Sequence, residues 1–111
     1  MNDYIVVTTT TDGRDEARRI AELLVQDRLA ACVQVVGPIE STYWWEGAVQ
    51  QSEEWLCLVK TREDRYGAVE SAIRQAHSYD VPEILALPIS AGSETYLRWI
   101  DAEAGANNTG A

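Results

Sequence analysis

One long extended run, from Ala31 to Thr61, constrains the fold of this 111-residue chain more than any other feature. Both halves of the run are rich in β-branched and aromatic residues, and they meet at Glu46-Gly47. This pattern, with a glycine at the reversal and no helical period, predicts one β-hairpin. An arm from Ala31 to Glu46 spans about 53 Å at about 3.3 Å per residue, whereas a compact domain of this length has a diameter of about 34 Å. The hairpin tip must therefore project beyond its own subunit.

The tip of the hairpin carries three adjacent aromatic residues, Tyr43, Trp44 and Trp45. A projecting arm with exposed aromatic side chains favours contact with another chain. We interpret Tyr43 and Trp44 as interface residues, together with Trp55 of the returning arm, because aromatic residues concentrate in interface cores. A ligand-stacking platform made of Trp44 and Trp45 is the alternative interpretation.

The composition limits the classes of partner. The net charge is −9, with nine lysines and arginines against 18 aspartates and glutamates, which argues against nucleic acid and against anionic membranes as partners. No apolar stretch approaches the roughly 18 residues that span a bilayer, and the N-terminus lacks a signal-peptide pattern. We expect a cytoplasmic protein with a single domain over residues 1–104 and a disordered tail over residues 105–111.

Two cysteines, Cys32 and Cys57, lie on opposite arms of the predicted hairpin. A turn at Glu46-Gly47 leaves them about four residues out of register, or about 13 Å along the strand. A disulfide needs Cα atoms within about 7 Å. We therefore expect two reduced cysteines, each buried in a strand.

The rest of the chain predicts two further strands and three helices. The periodicity indicates strands over residues 4–10 and 83–89, helices over residues 14–28 and 62–77, and a short last helix over residues 94–103 that begins after Ser93. The resulting order, strand-helix-strand-strand-helix-strand, is that of a ferredoxin-like α+β sandwich. Right-handed crossovers place the first two helices on one face of the sheet.

The second face of the sheet is predicted to be covered as well. Neighbouring residues such as Cys57 and Leu58 are both apolar, although they point to opposite faces of a strand, and a half-exposed sheet would alternate with polar residues. A second copy of the chain is the simplest cover. The projecting hairpin and the two-sided strands thus both predict a homo-oligomer.

Five short segments, in this order and spacing, make the chain resemble the CutA divalent-cation tolerance proteins over about residues 4–101. They are Leu29-Ala30-Ala31-Cys32-Val33, the stretch from Ile39-Glu40-Ser41 through Tyr43-Trp44-Trp45-Glu46-Gly47, Val59-Lys60-Thr61, Tyr79-Asp80-Val81-Pro82-Glu83-Ile84 and Tyr96-Leu97-Arg98-Trp99-Ile100. The resemblance implies a homotrimer whose sheets face inward and whose hairpins reach across to neighbouring subunits. It also implies a role in handling copper and other divalent metal ions.

The resemblance gives the metal prediction a specific form. Copper-binding bacterial members that this chain resembles use a cysteine at the end of the first strand and a pair of histidines before the Ser-Tyr loop. The matching positions here look like Thr8 and Ala76-His77. One imidazole and one hydroxyl do not make a tight copper site. We therefore expect at most a weak site for Cu(II) or another divalent cation at His77, completed by a carboxylate or by another chain; capping of the second helix is the alternative role.

A carboxylate at the entry of an apolar strand suggests a second candidate site. Glu83 follows Pro82 directly, and a carboxylate in such a place favours a cationic partner. Lys60, at the end of another apolar run, is the nearby candidate. We interpret Trp45, Lys60, Tyr79 and Glu83 as the lining of an inter-subunit cleft that binds a small anion, a metal ion or a metabolite. A structural ion pair between Lys60 and Glu83 is the alternative.

Catalytic constellations such as Ser-His-Asp, Cys-His or paired acids find no support in the sequence, and we do not expect an enzyme. The leading hypothesis is a CutA-like trimeric protein that responds to or binds divalent metal ions. Two alternatives stay open. One is a signalling or metabolite-binding module that resembles the PII proteins in using inter-subunit clefts, and the other is a structural trimer that scaffolds a protein partner.

Overall fold

A computed structural model describes residues 3–105, which form one four-stranded sheet and three α-helices. The strands are β1 (Tyr4–Thr11), β2 (Cys32–Trp45), β3 (Ala48–Arg62) and β4 (Leu85–Pro88); the helices are α1 (Arg14–Gln26), α2 (Tyr66–Ala76) and α3 (Glu94–Glu103). The strands lie in the order β2-β3-β1-β4, and each neighbouring pair is antiparallel. The α+β architecture that the sequence predicts is confirmed.

The hairpin formed by β2 and β3 turns at Glu46-Gly47, where Gly47 has a φ of +82° that favours glycine. Trp45 lies opposite Ala48 at the tip, and Cys32 lies opposite Lys60 at the base. The molecule measures 46 Å along its longest axis but only 26 and 21 Å along the others. The elongated shape agrees with a hairpin that projects beyond the rest of the chain.

A β-bulge interrupts β2 between Val36 and Ile39, at Gly37-Pro38, where one residue lacks a side chain and the next lacks a backbone donor. Gly37 is required there because a Cβ atom would lie 2.3 Å from a ring carbon of Trp55. The bulge adds one residue to β2. Odd-numbered side chains of β2 therefore lie on one face of the sheet before the bulge and on the other face after it. Before the bulge Val35 lies opposite Cys57, whereas beyond it Trp44 lies opposite Val49.

The two cysteines are free, as the register predicted. Cys57 is fully buried, but Cys32 is only half-buried at the base of the hairpin. The expectation of two buried cysteines is therefore correct for Cys57 and wrong for Cys32, because β2 is an edge strand and only one of its sides is covered.

One face of the sheet, which we name the covered face, packs against α1 and α2. Its core consists of residues that are at most 5% exposed: Ile5, Val7, Cys57 and Val59 from the strands, Ala17, Ile20, Leu24 and Ala30 from α1 and the segment after it, and Val69 and Ile73 from α2. This cluster is the main hydrophobic core. Apolar burial of this kind supplies most of the stability of a small domain.

The opposite side of the sheet, which we name the open face, is covered by residues 3–105 only at one end. There α3 packs Ile100 and Ala104 against Ala31, beside Tyr4 at the start of β1. Away from α3, the β4 residues Leu85 and Leu87 are 58% and 50% exposed. The part of the chain that the structure describes thus leaves an apolar sheet surface uncovered.

The start of α2 differs from the prediction. Arg62 was expected to open the helix, but it ends β3, and a 3₁₀ turn over Glu63–Arg65 precedes α2. Both Nε and Nη2 of Arg62 donate to the carboxylate of Asp64, at 3.1 and 2.8 Å, which stabilises this turn. β4 is shorter than predicted because Glu83 and Ile84 belong to the preceding loop. It lies at an edge of the sheet, where a proline such as Pro88 is tolerated.

None of the helices within residues 3–105 is long and apolar enough to cross a membrane. Of the tail predicted over residues 105–111, only Gly105 is among the described residues. Its φ of +94° and the close approach of the Arg65 guanidinium leave no room for a side chain.

Candidate functional site

The segment over residues 77–84 connects α2 to β4, and we name it the strap. Its first residue, His77, forms a hydrogen bond to the carbonyl oxygen of Thr10 at 2.7 Å. Near its other end, Glu83 accepts a hydrogen bond from the hydroxyl of Thr8 at 2.8 Å. The strap therefore runs along the edge of β1. This places the predicted site residues of the strap beside the open face.

His77 lies in the interior, with a side chain that is 0% exposed. The backbone N–H of Tyr79 donates to Nδ1 at 3.1 Å, so Nε2 carries the proton and donates to Thr10. His77 is also the C-cap residue of α2, which matches the alternative role that the sequence suggested. Both ring nitrogens have protein partners, and a metal ion at Nδ1 would have to displace the N–H of Tyr79.

The predicted ligand positions are not assembled into a metal centre by this chain. Residues 3–105 contain no group of three or more histidine, cysteine, aspartate or glutamate side chains that could hold a metal ion. Thr8 bonds to Glu83, whereas His77 bonds to the backbone of Thr10. Metal binding at His77 stays a prediction, and a second copy of the chain would have to supply further ligands.

Tyr79 fixes a carboxylate that the sequence analysis missed. Its hydroxyl donates to Glu54 Oε2 at 2.8 Å, and Glu54 is only 7% exposed. Burial, and then the bond to Glu54, raise the pKa of the Tyr79 phenol above its usual range, so the hydroxyl keeps its proton and its role as donor. The sequence does contain one signal. Glu54, Leu56 and Leu58 are alternate residues of one strand, so their side chains lie on the same face of the sheet, which is the open face.

Lys60 and Glu83 do not pair within the chain. The Lys60 ammonium lies 5.7 Å from the centre of the Tyr96 ring, over α3, while Glu83 contacts Thr8. The structural ion pair considered as an alternative is therefore not formed within the described residues, where Lys60 lies over the Tyr96 ring instead. Any pairing of Lys60 with a carboxylate needs a group from another copy.

Trp45 can join the other predicted cleft residues only across a subunit boundary. It lies opposite Ala48 at the hairpin tip, and Lys60 lies at the base. Twelve residues of β3 separate these positions, which is about 40 Å of strand. The cleft of Trp45, Lys60, Tyr79 and Glu83 stays a prediction that requires at least two chains.

The three predicted interface residues occupy different environments. Trp44 is 74% exposed and lies opposite Val49, on the side of the hairpin that continues the covered face. Tyr43 points to the other side, where its hydroxyl lies 3.1 Å from the hydroxyl of Ser52. Trp55 is half-buried and packs against the main core. Tyr43 and Trp44 are thus available to a partner, while much of Trp55 is engaged within the chain.

The fold and the site define an α+β protein with an antiparallel sheet, a projecting hairpin and an uncovered sheet face. Solved structures share this architecture: the crystal structure of CutA1 from Oryza sativa superposes with a TM-score of 0.92 at 40% identity, covering 96% of this chain and 97% of that one. The family model described as CutA1 divalent ion tolerance protein matches residues 5–103. The chain belongs to this family, which confirms the resemblance seen in the sequence.

Two curated relatives illustrate the range of lengths in the family. The chain is 42% identical over 100 residues to the divalent-cation tolerance protein CutA of Thermus thermophilus, covering 90% of this chain and 97% of that protein. It is 45% identical over 96 residues to the chloroplastic protein CutA 1 of Oryza sativa, covering 86% of this chain. It spans about half of that plant protein, 54% of its length.

Proposed function

We propose that this protein binds divalent cations as a homotrimer and that the cation site lies on the open face, at the boundary between copies. The observation that carries the proposal is the state of two carboxylates. Among the described residues, the side chain of Glu54 has only the Tyr79 hydroxyl as its hydrogen-bond partner, and that of Glu83 has only the Thr8 hydroxyl. Within residues 3–105, no lysine, arginine or histidine forms an ion pair with either.

A carboxylate without a cation is costly in an apolar setting. Glu54 is almost completely buried in the single chain, beside the leucines of β3. Covering the open face with another copy would remove more water from both carboxylates. A positive charge in that boundary would then offset the cost of desolvation, which is the physical reason to expect a cation there.

The kind of cation follows from the donor atoms. Carboxylate and hydroxyl oxygens suit hard ions such as Mn(II), whereas imidazole and thiolate ligands suit copper and zinc. The family resemblance implies Cu(II), but His77 has both nitrogens engaged. Cu(II) and Mn(II) are therefore the two ions to compare.

Homotrimer formation is supported by the same face of the sheet. Leu85 and Leu87 expose apolar surface on the open face, and the hairpin projects from the body of the chain. A second copy that covers this face would bury both leucines and receive the hairpin tip. We expect Leu85→Lys to reduce the mass of the assembly to about that of one chain in analytical ultracentrifugation. Val25→Lys is the matched control, because Val25 is an exposed apolar residue on the outer side of α1.

The buried thiol of Cys57 is not suited to nucleophilic catalysis. Burial, and then the charge of Glu16, raise the pKa of the Cys57 thiol to about 11. Its sulfur lies 3.8 Å from the carbonyl oxygen of Ala17, deep in the covered face. A thiol that stays protonated and inaccessible is a poor nucleophile.

The cation proposal is tested by calorimetric titration of metal-stripped protein with Cu(II) and with Mn(II). We expect saturable binding of at least one ion, with a whole-number ratio per chain or per trimer, and a loss of affinity of at least about tenfold in Glu83→Gln and in Glu54→Gln. Glu53→Gln is the control, since Glu53 is the exposed neighbour on the other side of β3.

Two results would change the assignment. Binding that is lost in His77→Ala but kept in both glutamine variants would place the site at His77. Heats that do not saturate with either ion would remove the cation proposal and favour the PII-like alternative, in which Lys60 holds a small anion.

A further inference from the structure

We propose that Glu16, on the opposite side of the sheet from the open face, is the positioning residue of the strap. Glu16 lies in the first turn of α1 and is 7% exposed. Its Oε2 atom accepts the backbone N–H of Ser78 at 2.7 Å, and its Oε1 atom accepts the Ser78 hydroxyl at 3.0 Å. One carboxylate thus uses both oxygens on a single strap residue.

The contact is at the point where the strap leaves α2. His77 is the C-cap of the helix, and Tyr79, two residues later, carries the hydroxyl that reaches Glu54. Glu16 holds Ser78, which lies between them. Its Oε2 is also 3.6 Å from Nδ1 of His77, the atom that accepts the N–H of Tyr79. The direction in which Tyr79 leaves the helix therefore depends on Glu16.

The middle of the strap offers no comparable restraint. Val81 is 74% exposed, and no side-chain hydrogen bond within the described residues involves Asp80, Val81 or Pro82. The strap is fixed near its start by Glu16 and Thr10 and near its end by Thr8. Removing the restraint at the start would free Tyr79 while leaving Glu83 attached to β1.

Glu16 has another possible role, which is to stabilise α1 through the helix dipole. Acidic side chains in a first helical turn have that effect without any tertiary contact. Asp15 shares the first turn but is exposed and bonds to no strap residue. Asp15→Asn therefore reports the dipole effect alone. Any additional effect of substituting Glu16 is due to its contact with Ser78.

The first test is amide hydrogen exchange by NMR on the full chain. In Glu16→Ala we expect the Ser78 and Tyr79 amides to exchange about ten to a hundred times faster, since a buried charged acceptor is lost. Glu16→Gln should restore most of the protection, because its amide oxygen can still accept the Ser78 N–H. The exchange rates of the Val7 and Val59 amides, in the sheet core, should not change. In Asp15→Asn the exchange rates of all four amides should not change.

Two results in Glu16→Ala would overturn the proposal. One is an unchanged exchange rate at Ser78 and Tyr79. The other is an equal rise in exchange rate at Val7 and Val59, which would show that Glu16 stabilises the whole domain. If Glu16→Ala does not fold, Ser78→Ala replaces it. That variant removes only the hydroxyl contact, and we expect a rise of a few fold in exchange at Tyr79; no change there would equally count against the proposal.

The second test asks whether the restraint matters for binding, and this part rests on the proposed function. Titration of Glu16→Ala with Cu(II) and Mn(II) should show about a tenfold loss of affinity at unchanged stoichiometry, although Glu16 contacts neither Glu54 nor Glu83. Unchanged affinity beside faster exchange would reject Glu16 as a positioning residue of the site. If the unsubstituted protein binds neither ion, the proposed function fails, and the exchange measurement still decides the role of Glu16.

Discussion

The two faces of the sheet differ in how much of their environment the chain itself provides. On the covered face, Val7 and Val59 are fully buried beneath α1 and α2. On the open face, the leucines of β4 are at least half exposed, and two carboxylates rely on hydroxyl donors. The covered face is a complete hydrophobic core. The open face carries apolar residues of the kind found in a core, but the described residues leave them exposed.

The difference separates the expected effects of substitutions on the two faces. Substitutions on the covered face act on the folding of a single chain, where cavities and lost contacts are felt in full. Substitutions on the open face act mainly on what the chain binds. Measurements that separate chain stability from assembly and ligand binding can therefore test the contrast directly.

The largest effect is expected from a cavity in the covered face. Leu24→Ala removes a fully buried side chain and should lower the free energy of unfolding by about 2–5 kcal/mol in urea denaturation. Leu87→Ala is the matched control on the open face, and we expect less than about 1 kcal/mol under conditions that keep the chain monomeric. Equal losses at both positions would mean that the open face is packed more tightly than the structure indicates.

A smaller effect is expected where the covered face meets the bulge. Gly37→Ala places a Cβ atom 2.3 Å from the indole of Trp55, and the ring must shift. We expect a loss of about 1–3 kcal/mol in the free energy of unfolding. Gly67→Ala, in α2, meets nothing within 4 Å and should be neutral or stabilising by up to about 1 kcal/mol. A tolerated alanine at position 37 would show that the indole is loosely held.

The polar contact on the open face should contribute less than the packing. Tyr79→Phe removes the one hydrogen-bond donor that the Glu54 side chain has within residues 3–105 and should lower the free energy of unfolding by about 1.5 kcal/mol in thermal or urea denaturation. Tyr66→Phe is the control, because Tyr66 packs against the main core and forms no side-chain hydrogen bond with another described residue. If both variants lose the same stability, the hydroxyl of Tyr79 is not a specific partner of Glu54.

The smallest effect near neutral pH concerns Cys57. Its pKa is raised from 9.0 to about 11, so its contribution to stability is complete below about pH 9 and is lost as the pH rises towards 11. Urea midpoints measured across this range should fall less steeply in Cys57→Ala than in the unsubstituted protein. At pH 8 a thiol reagent should label Cys32 and leave Cys57 intact; rapid labelling of both would show that the covered face opens readily.

Much of the fold could be predicted from the sequence because its signals are local. The hairpin turn, the bulge at Gly37-Pro38 and the Ser93 cap each rest on a few adjacent residues, and Ser93 does accept the N–H of Tyr96. The start of α2 was misplaced because Arg62 bonds to Asp64 and prolongs the extended conformation. Propensity does not report such a side-chain contact.

The site was harder to predict because its contacts are distant in the sequence. The sequence indicates Tyr79 as a site residue but not its partner Glu54, because 25 positions separate the two residues. Lys60 and Glu83 were considered as a pair, yet each has another partner within the chain. Glu16, which holds Ser78, carried no sequence signal beyond its place in a helical first turn, because 62 positions separate the two residues.

The bulge in β2 has a consequence for how this hairpin can change over time. Its extra residue sends Tyr43 and Trp45 to the side of the open face and Trp44 to the other side. Deleting one residue there would restore an unbroken ladder and leave Tyr43, Trp44 and Trp45 opposite their present partners in β3, on their present faces. A lineage that lost the bulge would keep the same surface at the tip, whereas a one-residue deletion elsewhere in β2 would put the base and the tip of the hairpin out of register. Changes in the length of β2 are therefore expected to be concentrated at Gly37-Pro38.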